Sequence, residues 1–137
     1  MEMTENEQKK NYLWSYRRAI RKQKQIEDEI IQFRLDKIAP GLHQDGMPRG
    51  SGESDLSGYA ARWDELMNEL RQQGEECIRI RKEIVKRIED VGDETEILLL
   101  KYRYIVGLKW EDIAVKMDYS WKHTHRIHGK ALEDFKI

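Results

Sequence analysis

Gly107 to Asp134 reads GLKWEDIAVKMDYSWKHTHRIHGKALED, two short helical patterns joined by Met117-Asp118-Tyr119-Ser120. The first pattern puts Ile113, Ala114 and Met117 on one face. The second puts Tyr119, Thr124, Ile127, Ala131 and Leu132 on one face, the three- and four-residue steps of a buried stripe. Ser120 suits the N-cap of the second helix, because its hydroxyl accepts from an amide that has no partner in the first turn. Asp118 suits the tight turn, since Asp tolerates left-handed backbone better than most residues. Two short helices around such a turn make a helix-turn-helix, whose second helix typically enters the major groove of DNA.

The charge pattern agrees. No acid occurs from Ser120 to Lys130, while Lys122, Arg126 and Lys130 recur every four residues along one stripe. Lysine and arginine there neutralise phosphates or reach guanine edges, and His123, His125 and His128 add charge when protonated. Ser120, Trp121, Lys122, His123, His125, Arg126 and Lys130 are therefore the candidate DNA contacts. The plain alternative is an amphipathic helix with a solvated basic face. Metal binding by the histidines is not expected, because 123 points away from 125 and 128 and no cysteine ligand is near.

Working outward, Asp93 with Glu96 makes a capping-box-like start for a supporting helix. Ile97, Leu98, Leu100, Lys101, Tyr104 and Ile105 are its expected packing residues, and Gly107 ends it. Trp110 is placed in the core or its rim by its helical spacing. Before this unit two long helices are predicted. One runs from Gln8 to Ile38 with a seam of Tyr12, Tyr16, Ala19, Gln23, Ile26, Ile30, Phe33 and Lys37, broadened by Leu13, Ile20, Ile31, Leu35 and Ile38. The other runs from Ser57 to Val91, with Leu56, Tyr59, Trp63, Leu66, Leu70, Gln73, Cys77, Ile80, Ile84, Arg87 and Val91 in its seam. Laid antiparallel, Tyr12 meets Ile84, Ile30 meets Leu66, Lys37 meets Tyr59, and the seam glutamines Gln23 and Gln73 face each other. A buried amide pair penalises slipped registers.

The expected fold is thus all-α: a long antiparallel, coiled-coil-like helical hairpin over residues 1–91, then a small helix-turn-helix domain over 92–137. The Gly/Pro-rich stretch 39–55 joins the long helices, either as a plain linker or as a contact loop for DNA or polymerase. It does not follow a strand and lacks Gly-Lys-Ser/Thr, so it is not read as a phosphate cradle. Ser54 or Asp55 is the expected cap of the second long helix.

Composition fits long, partly exposed helices, with 39% hydrophobic and 37% charged residues. The net charge of −1 does not mark a nucleic-acid binder, so local distribution carries that argument. No acid occurs from Gln8 to Ile26, which makes Arg17, Arg18, Arg21 and Lys22, with Lys109 near the turn, candidate phosphate contacts. The single cysteine, Cys77, is read as a small core residue in a reducing, cytoplasmic setting. No membrane span, signal peptide, cofactor motif or nucleophile–base pair is legible, so neither an enzyme nor a membrane protein is expected.

Asp93 to Leu132, with ETEILLLKYRYIVGLKWEDIAVKM followed by YSWKHTHRIHGKAL, resembles the C-terminal helix-turn-helix (region 4) of sigma-70-type factors. With MPRGSGESDLSGYAARWDEL upstream, the chain looks like small phage proteins described as ArpU- or RinA-like late transcriptional regulators. Thr124 stands where such helices usually carry an aliphatic residue, Gly129 where alanine is common, and Lys109 replaces the usual threonine cap. The resemblance implies a sequence-specific activator of phage late genes, dimeric, acting on double-stranded DNA in the host cytoplasm and touching host RNA polymerase. Two other roles fit the same pattern. One is a DNA-packaging scaffold of the small-terminase kind; the other is a sigma mimic that binds polymerase alone.

Overall fold

The computed structural model describes residues 2–38 and 53–137. Among these, no strand is present, and the chain is all-helical as expected. Helix α1 spans Glu5–Ile38 and α2 spans Glu53–Glu89. Helix α3, Glu94–Leu100, runs into a π-helical segment, Lys101–Val106; α4 covers Trp110–Met117 and α5 covers Trp121–Asp134. Among the described residues, no helix is long and apolar enough to cross a membrane. The stretch 39–52, expected to be a linker or contact loop, lies outside the described residues. Helix α2 has begun by Glu53, so Ser54 and Asp55 fall within its first turn rather than ahead of it.

The chain forms two compact units, one made of Met1–Ala19 with Cys77–Ile137 and the other of Ile20–Glu76. In the second unit α1 and α2 pack antiparallel around Ile26, Ile30 and Leu66, with Phe33, Trp63, Met67 and Leu70 against them. Ile30 and Leu66 share this core as the register requires. Lys37 sits 5.4 Å from the Tyr59 ring, and Phe33 stacks on the same ring at 4.6 Å. Arg62 bridges to Glu29 across the helices at 2.6 Å, a half-exposed pair that favours this register more than it adds stability. Gln73 is buried, as a polar seam residue should be. Gln23 turns its amide nitrogen along its own helix to Glu27, at 3.1 Å. Ile31, Leu35 and Ile38, expected to broaden the buried face, are exposed.

The first unit carries the larger core. Leu13 of α1 and Ile84 and Ile88 of α2 are buried together with Leu99, Leu100, Tyr104, Ile105, Ile113, Ala131, Leu132 and Phe135. The division expected between residues 91 and 92 therefore does not interrupt the packing. A head of roughly 45 residues buries too little surface to stand alone, and the long helices complete its core. Polar contacts reinforce that sharing. Lys9 is buried and donates to the Leu132 carbonyl at 2.6 Å, at the C-terminal end of α5, where a cation is favoured. Tyr12 donates to Glu83 at 2.8 Å, and Lys101 pairs with Glu89 at 3.0 Å. Cys77 is buried, in keeping with a core role.

In α3 the buried apolar residues are Leu99 and Leu100, with Tyr104 and Ile105 in the π segment. Leu98, expected among them, is 41% exposed, and Leu99 takes its place. The π segment closes on Gly107, whose amide reaches back to the Tyr102 carbonyl at 3.1 Å with φ 85°. A Cβ there would lie 2.8 Å from the Arg17 guanidinium carbon. The backbone angle demands glycine, and any side chain there would also push the Arg17 guanidinium aside.

Candidate nucleic-acid interface

The turn between α4 and α5 has the geometry its residues dictate. Asp118 takes φ 57° and ψ 45° and closes α4 with backbone bonds to Ala114 and Val115. Ser120 caps α5, its hydroxyl accepting from the His123 amide at 3.1 Å. Lys109 precedes α4 in extended backbone without a side-chain cap bond, so its exposed ammonium is not used by the helix. Thr124 is fully buried, and its hydroxyl donates to the Ser120 carbonyl at 2.8 Å. A buried hydroxyl thus satisfies itself within its own helix.

On the outward side of α5, Trp121, Lys122, Arg126 and Lys130 are exposed. Among the described residues, neither Lys122 nor Arg126 enters an ion pair. Lys130 lies close enough to Glu96 to favour its charged form. His123 is half-buried, edge-on to Tyr119 with centroids 4.6 Å apart. Arg126, Lys130 and His123 share a depression of about 360 Å³ with Asp93, Thr95, Glu96, Tyr119 and Ile127.

The histidines have three different fates. His125 lies between two indoles, 4.4 Å from Trp110 and 4.0 Å from Trp121, and its buried Nε2 has no hydrogen-bond partner among the described residues. His128 is buried, and its Nε2 is 2.8 Å from the Tyr104 hydroxyl. Burial, then the nearby Lys10, His125 and Arg103, lowers its pKa to about 4. His128 is neutral at physiological pH, so the extra charge expected of it is not there. Its signal was legible: it sits four residues after Thr124 and three before Ala131, on the buried stripe. Trp110 lies at the rim of the core, half-buried against His125 and His128, with the Arg103 guanidinium 4.6 Å from its ring centre.

The basic N-terminal run divides. Arg17 is half-buried and donates to the Ile105 carbonyl at 3.1 Å, which assigns its guanidinium to closing the π segment. Arg18 is exposed and donates to the Asn11 carbonyl at 2.9 Å. Arg21 and Lys22 are exposed in the other compact unit. Sequence reasoning missed Lys9 and Glu96 as buried polar groups and Arg103 as a half-buried one. Glu96 is nearly fully buried, and burial, then a hydrogen bond and charge from Asp134, raises its carboxyl to about 7. The Glu96 amide donates to Asp93 at 3.0 Å, the forward half of a capping box.

No protein-family model, curated protein or solved structure matches this chain.

Proposed function

We propose that the protein is a sequence-specific DNA-binding transcriptional regulator that lays α5 in the major groove, in the manner of phage late-gene activators. The observation that carries this reading is the outward face of α5: Lys122 and Arg126 exposed, no acid from Ser120 to Lys130, behind a turn with the left-handed Asp118 and the Ser120 cap. In this reading Arg126 and Lys122 reach base edges, Trp121 makes an apolar contact, and Lys109, Lys130 and Arg18 neutralise phosphates. Arg17 is left out of the phosphate set because it is half-buried and its guanidinium is packed against Gly107 and the Ile105 carbonyl, whereas Arg18 is exposed. The sequence likeness to sigma region 4 supports contact with host polymerase as a second step. The exposed stripe Ile31, Leu35 and Ile38, at steps of four and three, supports a homodimer on a two-fold site.

The test is Arg126→Ala on a duplex selected from a randomised pool, measured beside random DNA at one salt concentration. The variant should lose about 1–3 kcal/mol on the selected duplex and relax one base position. An equal loss on every sequence would mark Arg126 as a phosphate contact only. No loss on any duplex would reject the reading of α5.

A further inference from the structure

Trp121 is 59% exposed at the first position of α5, an unusual place for an indole in a charged protein. Its ring is not loose. His125 lies against one face with centroids 4.0 Å apart; behind it comes Trp110 at 4.4 Å, then the Arg103 guanidinium at 4.6 Å, then Trp14, 5.0 Å from that cation. Trp14 in turn meets the buried Tyr104 edge-on at 5.0 Å. The contacts form a continuous series of rings, interrupted once by the Arg103 guanidinium, from the core to the surface. His125 owes its orientation to the indoles, since its buried Nε2 bonds to nothing among the described residues.

We infer that Trp121 reads the 5-methyl group of a thymine in the major groove, and that His125, backed by Trp110, is the positioning residue that holds the indole for it. This rests on the reading of α5 as a major-groove helix. Thymine presents its methyl there as the apolar feature that the other bases lack. An indole with one face covered by His125 leaves a single apolar face and edge, which suits lateral contact with a methyl. Insertion between two bases would need both faces free. Lys122 and Arg126 are exposed on the same helix, with no acid from Ser120 to Lys130, which favours a polyanion over an apolar protein partner. A rigid two-torsion side chain, already packed against the His125 ring, loses little freedom on binding.

The experiment uses the full chain and a duplex selected from a randomised pool, with each thymine replaced in turn by uracil, which lacks only the methyl. At one position the wild type should lose about fourfold in affinity, the worth of one buried methyl. Trp121→Ala should bind more weakly and show no thymine-to-uracil difference at that position. His125→Ala should shrink the difference while His125→Phe, which keeps a ring in the stack, restores it. A purely structural role for His125 would weaken both duplexes equally and remove it from the proposal. If the wild type prefers its selected duplex yet no uracil substitution matters, or the difference survives in Trp121→Ala, the inference is overturned while the DNA reading stands. If no duplex is preferred over random DNA, both fall. The uracil series needs no variant protein, so misfolding of Trp121→Ala leaves the test intact.

Discussion

Glu96, in α3, has one carboxylate oxygen buried with no partner among the described residues, and its carboxyl is raised from the ordinary range to about 7, first by burial and then by Asp134. His128 is displaced the other way, to about 4, chiefly by burial. The two act on stability with opposite signs. Between pH 4.5 and 7 the folded chain holds a proton on Glu96 that the unfolded chain has released, so this contribution weakens as pH rises. Between pH 6.5 and 4 the unfolded chain protonates His128 and the folded chain does not, so this contribution weakens as pH falls. Thermal unfolding across pH 4.5 to 8 should therefore change little on the acid side and lose stability on approaching and passing neutrality. Glu96→Gln should remove the loss near neutrality and expose a clear decline on acidification. A Glu96→Gln profile parallel to the wild type would show that Glu96 does not titrate in this window. At this scale the sequence marked Glu96 as a capping residue, because the local pattern is short. It gave no sign that Asp134 would stand beside it.

The elements around the turn were the most legible, because their signals are local. Asp118 in left-handed backbone, Ser120 at the cap and Gly107 at the helix end each follow from what a single residue does to its own backbone. Ser120→Ala should cost about 0.5–2 kcal/mol in urea unfolding, the usual worth of such a cap. Gly107→Ala should cost more, roughly 1–3 kcal/mol, because it forces a positive φ on alanine. Gly129 is the reverse case. It lies inside α5, where an added Cβ meets no atom within 4 Å. Gly129→Ala should raise stability by about 0.5–1 kcal/mol without changing DNA affinity. A loss of affinity in that variant would mean that α5 approaches its target on the Gly129 side. The π-helical widening of Lys101–Val106 was not legible, since no local pattern marks it, and neither was the bond that Arg17 donates to its Ile105 carbonyl from 88 residues away.

For the whole molecule, the heptad steps sufficed to lay α1 against α2, because periodicity survives without knowledge of partners. They did not reveal where the compact units divide. That depends on Leu13, Ile84 and Ile88 joining the core of the helix-turn-helix, and on Lys9 reaching Leu132 across 123 residues. The long helices are part of the domain that presents α5, and shortening α1 before Ala19 should unfold the head rather than release it. The homodimer belongs to this scale too. Light scattering should give twice the chain mass at micromolar concentration, and Leu35→Glu, on the exposed stripe, should shift it toward the monomer. A strict monomer would remove two-fold site spacing from the account while leaving α5 able to bind one half-site.

The central claim is that the cationic face of α5 distinguishes one duplex from another. The most direct measurement is the ratio of dissociation constants for the best duplex drawn from a randomised pool and for random DNA of equal length, at one fixed salt concentration. The account predicts a preference on the order of 10³ or more. Equal affinities, or no binding to either duplex, would contradict it.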